Sequence, residues 1–145
     1  MHDVWNTIGV FLLGGVGWLV TSFVGRPVRQ FVDLRGEVIQ RSVLYGNVAA
    51  LQQESPDGSV KQIDLSDEEI KRLREAEGVF RDLAARMRAF ALNERMAVWL
   101  VRLRYDPWEA SEALLGVSNT LHKYGGTRAD AWKALERALG FRITR

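Results

Sequence analysis

The sequence predicts an all-α protein, with one N-terminal transmembrane helix followed by a small cytoplasmic helical domain of about four helices. Three observations predict this class. Residues 4–25 carry no charge, apolar residues recur later at three- and four-residue spacing, and strong helix start signals separate the later runs. The predicted divisions are an N-terminal tail and transmembrane helix (1–25), a juxtamembrane amphipathic helix (26–51), a loop (52–66) and a helical domain (67–145).

Composition excludes several kinds of site. The 145-residue chain has no cysteine, so disulfides, thiolate nucleophiles and cysteine-bound metals are ruled out. His2 and His122 are the only histidines, so neither a metal site nor a cofactor is expected. All 20 Lys and Arg follow position 25, but 17 acidic residues are interleaved with them. Because a dense positive stripe is missing, no nucleic-acid partner is expected.

The predicted transmembrane helix rests on the length and hydrophobicity of residues 4–25. These 22 uncharged residues compare with the roughly 20 that cross a bilayer as a helix. The ten Leu, Ile, Phe and Val residues from Ile8 to Val24 favour insertion by roughly 3–6 kcal/mol before Gly, Ser and Thr subtract. The alternatives are a fully buried central helix and a cleaved signal peptide. A small domain can hardly surround such a helix, and "MHDVWNT" lacks the basic start of a signal peptide.

The orientation of the predicted span follows from the positive-inside rule. No Lys or Arg precedes the span, while Arg26, Arg29, Arg35 and Arg41 follow it. The N-terminus is therefore expected outside and the C-terminal domain in the cytoplasm. Arg26, Arg29 and Arg35 are also candidates for contacts with lipid headgroups, unless they serve only to set the topology.

Small residues within the predicted span repeat every four positions, at Gly17, Thr21 and Gly25. Such a stripe allows a second helix to approach closely, which makes these residues candidates for association through the span. The expected partners are a second copy of the chain or another membrane protein, besides membrane lipids. Glycine is frequent in spans in any case, so chance is the alternative explanation.

The first part of the chain after the span is expected to form a helix and then a loop. Pro27 fits the first turn of a new helix or a kink, and the apolar residues after it recur at helical spacing. The Pro-Asp-Gly sequence at residues 56–58 indicates a loop or a short hairpin.

A long helix is expected to begin at Ser66. Ser66 and Glu69 have the spacing of a capping box, and an apolar face runs from Ile70 to Phe90. After Asn93 the apolar pattern changes phase, because "MAVWLVRL" is apolar nearly all round. We therefore expect a bend or break near Asn93, with the second part either deeply buried or set apart from the first.

Two shorter helices are expected at the end of the chain. Asp106 followed by Pro107 is a strong start signal, and Gly125 is a typical stop. The last helix is expected from Thr127, its cap, to Gly140.

Polar residues inside the first of these two helices are candidates for a partner contact. Ser118, Asn119 and His122 lie where helix propensity does not favour them, so a specific contact to the preceding helix or to a partner is expected. Ser118 and His122 could also touch, but no hydrolase motif surrounds them. No catalytic residues are therefore assigned, and no enzyme is predicted.

The chain resembles uncharacterised small bacterial membrane proteins with one N-terminal span. The likeness rests on "RPVRQFVDLRGEV", "RDLAARMRAFALNE" and "LLGVSNTLHKYGG", and it covers most of the chain. The resemblance implies a bacterial inner-membrane protein with a cytoplasmic helical domain. It implies no activity and no site residues.

These observations together predict a membrane-anchored scaffold or regulatory protein that acts by protein–protein interaction at the inner face of a bacterial membrane. One alternative is a membrane-disrupting effector that assembles through its span. The other is a membrane-bound enzyme acting on a lipid or another membrane substrate, although no constellation of acid, base and nucleophile stands out.

Overall fold

The computed structural model describes residues 14–15, 17–18, 21–54 and 59–142, and the statements below concern these residues. Their secondary structure is mostly helical, with one small sheet. A π-helical turn, Thr21–Gly25, leads directly into the first α-helix. The elements are α1 (Arg26–Tyr45), β1 (Gln52–Glu54), β2 (Val60–Gln62), α2 (Asp67–Asn93), α3 (Arg95–Val101), α4 (Pro107–Thr120), β3 (Lys123–Tyr124) and α5 (Gly126–Leu139).

The start of α1 is set by Pro27. Proline has no backbone N–H and its ring crowds the preceding turn, so the regular hydrogen-bond ladder is interrupted there. The wider π turn at Thr21–Gly25 accommodates this interruption. Gly25 keeps right-handed helical angles, so the chain runs on into α1 without a side-chain cap.

The expected capping box begins α2. The Ser66 hydroxyl accepts a hydrogen bond from the Glu69 amide, and the Glu69 carboxylate accepts one from the Ser66 amide at 2.9 Å. Hydrogen bonds from Ser66 lower the pKa of Glu69. The expected break near Asn93 is confirmed, because α2 ends at Asn93 and Glu94 has non-helical angles before α3 begins.

The expected start of α4 at Asp106 and end of α5 at Gly140 are confirmed, whereas the predicted stop at Gly125 and cap at Thr127 are wrong, because α4 ends at Thr120 and Thr127 lies inside α5. The Asp106 carboxylate accepts hydrogen bonds from the amides of Trp108 and Glu109, at 3.0 and 3.1 Å, and Pro107 occupies the first turn of α4. Gly140 ends α5 in the left-handed conformation, with φ of 61°, which glycine adopts without steric cost.

The core lies where α2 packs against α4, with α5 against α4 and α1 against α2. Phe80, fully buried on α2, has its ring centroid 5.5 Å from that of Trp132 and 6.3 Å from that of Tyr45. Phe31 on α1, also fully buried, packs between Phe90 and Tyr105. These aromatic contacts hold α1 and α5 onto the central helix.

A buried arginine joins the segment after α1 to the helices. The Arg128 side chain, 7% exposed, donates hydrogen bonds to the carbonyls of Gly46, Val48 and Leu121 at 3.2–3.3 Å. No carboxylate among the described residues forms an ion pair with it, and burial lowers the pKa of its guanidinium. Backbone carbonyl oxygens are therefore the groups that stabilise this buried positive charge.

The prediction of an all-α fold is wrong, because the three short strands form a sheet in the order β2-β1-β3. β1 pairs antiparallel with β2, with Gln52 opposite Gln62, and parallel with β3, with Gln52 opposite Lys123. The strands are polar and only two or three residues long, so they lack the alternation that marks a strand in a sequence. The antiparallel pairing of β1 with β2 is that of the short hairpin expected here, and only the pairing of β1 with β3 joins residues far apart in the chain.

No helix formed by the described residues is both long enough and apolar enough to cross a membrane. This finding contradicts the predicted transmembrane helix and, with it, the single-pass inner-membrane topology. Within the predicted segment, residues 1–13, 16, 19 and 20 lie outside the described residues. The described part continues into α1, which carries charged residues in nearly every turn and packs on α2. Charged residues oppose insertion by several times what each apolar residue contributes.

Candidate functional site

The three residues predicted for helix association lie on one exposed stretch. Gly17, Thr21 and Gly25 are all exposed, and the Thr21 hydroxyl donates to the Gly17 carbonyl at 2.8 Å. A side chain added at Gly17 would meet no described atom within 4 Å. The space beside this stretch is therefore open on the part of the chain that the structure describes.

The three arginines predicted for headgroup contacts have different environments. Arg26 and Arg29 are exposed on the first turns of α1. Arg35 instead donates from Nε to the Leu139 carbonyl at 2.8 Å, and its guanidinium lies 4.9 Å from the ring centre of Tyr105. Arg35 thus binds the carboxyl end of α5, where a helix favours positive charge.

The polar residues of α4 and the turn after it also differ in their surroundings. Ser118 is buried and donates to the Glu77 carbonyl of α2 at 2.9 Å, whereas Asn119 is exposed. His122 is partly exposed, with Nδ1 3.8 Å from the Glu77 carboxylate. The Ser118 hydroxyl therefore makes a contact with the helix packed against α4.

Replacing Ser118 by alanine is expected to lower the free energy of unfolding by about 1 kcal/mol, because a buried hydrogen bond to α2 is lost. Replacing its neighbour Asn119 by alanine is expected to change it by less than about 0.5 kcal/mol, since that side chain is exposed. Urea unfolding of both variants, followed by circular dichroism, measures the difference. Equal effects at the two positions would show that the hydrogen bond contributes nothing.

The most unusual surface of the protein lies on α3 and the residues beside it. Ala97 and Val101 face the core, but the opposite side of the same helix is also apolar. We call this outer side the apolar ridge. Its four side chains are 58–81% exposed: Leu92, Met96, Trp99 and Leu103. A helix that is apolar all round is normally covered on all sides, and no described residue covers the ridge.

The ridge is not a single helical stripe. Leu92 lies in α2 before the break at Glu94, Met96 and Trp99 lie on α3, and Leu103 follows the end of α3, so their spacing in the sequence does not predict a common face. The residues with core-facing spacing, Ala97 and Val101, lie between them. The expected deep burial of "MAVWLVRL" therefore holds for Ala97 and Val101 but not for the exposed side of α3.

Charges of both signs surround the ridge in equal number. Residues 94–109 contain three basic and three acidic side chains: Arg95, Arg102, Arg104, Glu94, Asp106 and Glu109. One pair is formed within the chain, with Arg102 3.4 Å from the Asp106 carboxylate. Nearby, the Arg88 guanidinium lies 3.6 Å from the ring centre of Trp108. Residues 94–109 therefore have no net charge.

A groove of about 850 Å³ lies beside the ridge, between the first half of α1 and the end of α2. We call it the α1–α2 groove. Its buried floor is apolar and includes Pro27, Leu34 and Phe90. Asn93 and Glu94, which separate Leu92 from Met96 in the chain, line its end. The end of the groove is therefore adjacent in the chain to two ridge residues.

The walls of the groove are charged. Arg86 forms an ion pair with Glu37 across the groove at 2.7 Å, and this hydrogen bond raises the pKa of the Arg86 guanidinium. Arg26, Arg29 and Asp33 also line the groove, and none of the three has an ion-pair partner among the described residues. The groove thus combines an apolar floor with unused charges of both signs.

Neither a metal site nor a relative identifies the function. Among the described residues, no three His, Asp or Glu side chains are grouped so that they could hold a metal ion. His122 is not among the residues that line the α1–α2 groove. Comparison with protein-family models, with curated proteins and with solved structures finds no match to this chain.

Proposed function

We propose that the protein is a helical scaffold whose working form is an assembly of two copies joined at the apolar ridge. The observation that carries the proposal is the exposure of the ridge, from 58% at Leu92 to 81% at Leu103. Exposed tryptophan, methionine and leucine side chains are typical of the centre of a protein–protein interface. The helices behind α3 supply a rigid support for that face.

The size of the apolar surface favours a protein partner. The four ridge side chains present on the order of 500 Å² of accessible surface, because one large aromatic side chain alone carries roughly 150–250 Å². Phe23, 63% exposed, belongs to the π turn that contacts α3 and extends this surface. Together they approach the roughly 800 Å² that each partner buries in a standard interface.

The charges of the rim favour a second copy as that partner. A rim of one sign would repel its own copy and select a partner of opposite charge. The rim here has three arginines and three carboxylates, so two copies meet without net repulsion. A lipid surface with anionic headgroups would attract the arginines but repel Glu94, Asp106 and Glu109.

Sedimentation equilibrium of the full-length chain tests the proposal. The wild type is expected at twice the 16.4 kDa mass of one chain. Trp99→Glu is expected to give single chains, since a charge in the centre of the buried ridge would be unpaired. Val43→Glu is the matched control, because Val43 is 66% exposed against 69% for Trp99 but lies on α1. It is expected to leave the dimer intact.

Two results would contradict the proposal. One is a wild-type chain that sediments as a single copy at 100 µM or above, in the order-of-magnitude range where weak protein interfaces are populated. The other is a Trp99→Glu chain that stays dimeric. Circular dichroism of both variants shows that their folds are intact, so a loss of dimer is attributable to the surface.

A further inference from the structure

We propose that a cavity at the start of α5 binds a small organic anion whose body is a flat apolar ring system. The cavity has a volume of about 410 Å³, and we call it the α5 cavity. Its lining comes from the end of β3 and the first turns of α5: Tyr124, Gly125, Arg128, Ala129, Trp132 and Lys133. None of the four ridge residues lines it, so the inference does not depend on the dimer.

The charge of the lining favours an anion. Arg128 and Lys133 are both cationic, and none of the described residues that line the cavity is acidic. The α1–α2 groove is different, because three arginines and three carboxylates line it. Lys133 lies 3.9 Å from the Asp130 carboxylate, but both side chains are largely exposed, so this ion pair holds the ammonium only weakly. The ammonium of Lys133 is therefore available to a bound anion.

Arg128 gives the cavity a positive charge without a counter-ion. Its side chain is more than nine-tenths buried, and its guanidinium donates to backbone carbonyls of three residues, Gly46, Val48 and Leu121. No carboxylate among the described residues forms an ion pair with it. The carbonyls accept hydrogen bonds but carry no net charge, so they leave the arginine uncompensated. An anion in the adjacent cavity would supply the missing charge, and its attraction is stronger there than at an open surface because less water screens it.

The start of α5 adds to the same preference. Gly125 is the N-cap residue of α5 and provides no side-chain hydrogen bond to the first turn. The positive end of the helix dipole therefore lies at the cavity. Because Gly125 has no side chain and Ala129 has only a methyl group, an anionic group has close access to the backbone. This feature strengthens a site that the two cationic side chains already define.

Two aromatic side chains form apolar walls of the cavity. The Trp132 indole is held by an edge-to-face contact with Phe80, whose ring centre is 5.5 Å away. The Tyr124 ring belongs to β3 and is 62% exposed, so it is free to be covered by a ligand. A volume of about 410 Å³ lies toward the lower end of the roughly 300–1,000 Å³ found for small-molecule pockets, so a small fused ring system is the expected size. Flat rings stack favourably on such walls.

Binding of three probes to the full-length chain at pH 7 tests the inference without changing the protein. 2-Naphthoate carries a carboxylate on a flat ring system, 2-naphthamide has the same shape without the charge, and inorganic phosphate has the charge without the rings. Shifts of the amide resonances of residues 124–133 locate and measure the binding. 2-Naphthoate is expected to saturate this site and to bind at least about tenfold more tightly than either other probe, since each of those lacks one kind of contact.

Filling the cavity is the second part of the test. Ala129 is exposed and lines the cavity, so Ala129→Trp is expected to weaken 2-naphthoate binding at least about tenfold. Ala85→Trp is the matched control, because Ala85 is an exposed alanine of α2 that does not line the cavity, and its affinity is expected to equal that of the wild type. Lys133→Gln is expected to weaken binding about threefold, as for an exposed charge. Circular dichroism and urea unfolding show that each variant is folded.

Any of four results would overturn the inference. Equal affinities for 2-naphthoate and 2-naphthamide would show that the cavity does not select an anion. Phosphate binding as tight as that of 2-naphthoate would show that the rings of Tyr124 and Trp132 contribute nothing. Unchanged binding to Ala129→Trp would place the probe elsewhere, and no binding of 2-naphthoate up to about 10 mM would leave the cavity without its ligand class. A wild type that sediments as a single chain contradicts the proposed function alone.

Discussion

Replacing Phe80 by alanine is expected to lower the free energy of unfolding by about 3–5 kcal/mol, the range for removing a buried aromatic side chain. Phe80 is completely buried on α2 and contacts the rings of Tyr45 and Trp132, which belong to α1 and α5. Its loss leaves a cavity where three helices meet, and the surrounding rings cannot close it without leaving their own positions. Urea denaturation with linear extrapolation measures the change.

The same substitution at an exposed position provides the control for Phe80→Ala. Phe23 is 63% exposed, so Phe23→Ala is expected to change the free energy of unfolding by no more than about 0.5 kcal/mol in the single chain. Measurement in the Trp99→Glu background keeps dimer formation from contributing. An effect of Phe80→Ala as small as that of Phe23→Ala would contradict the packing of Phe80 against Tyr45 and Trp132.

Replacing Arg128 by alanine is expected to lower the free energy of unfolding by about 2–4 kcal/mol, because buried carbonyls lose charge-assisted hydrogen bonds. The carbonyls concerned belong to Gly46, Val48 and Leu121. Burial lowers the pKa of the guanidinium, so the charge itself opposes folding, and the expected loss is that of the hydrogen bonds less this cost. The Arg128→Ala substitution should also speed the hydrogen exchange of backbone amides in the segment that follows α1.

Arg128→Lys separates the two contributions. Lysine keeps the charge but lacks the planar fork that reaches three carbonyls, so its loss of stability is expected to lie between those of the wild type and Arg128→Ala. Urea denaturation of the three proteins provides the comparison. If Arg128→Lys were as stable as the wild type, the charge and not the fork would be what matters. If Arg128→Ala were also as stable as the wild type, neither the charge nor the planar guanidinium would contribute to stability.

Local chemistry made the helix boundaries predictable. Ser66 with Glu69, and Asp106 with Pro107, satisfy the amides of a first helical turn within four residues of sequence, so the signal and the structure are the same local interaction. The core face of α2 was equally readable, because Leu73, Phe80 and Met87 recur at helical spacing and are buried.

Interactions between distant residues were not predictable in the same way. The pairing of β1 with β3 depends on backbone groups of residues 52 and 123, whose side chains carry no alternating pattern. Arg128 lies in a helix like any surface arginine, and only the positions of Gly46 and Val48 make it a buried anchor. Such contacts are set by the folded chain as a whole.

The membrane prediction failed because hydrophobicity was treated as a property of one segment. Residues 4–25 are long and apolar enough on their own, but the described helix passes through a π turn into the charged and packed α1. The ridge was missed for a different reason. Its residues lie on both sides of the break at Glu94, and only the placement of α3 shows which apolar side chains are left exposed.

The register of the small sheet has a consequence for the order of folding. Neighbouring helices such as α4 and α5 meet through contacts between residues close in sequence, which form fast. The pairing of Gln52 with Lys123 closes a far longer loop, so its entropic cost is repaid only after the helices have docked. The pairing of β1 with β3 is therefore expected to form last, and to be the first part of the sheet to open.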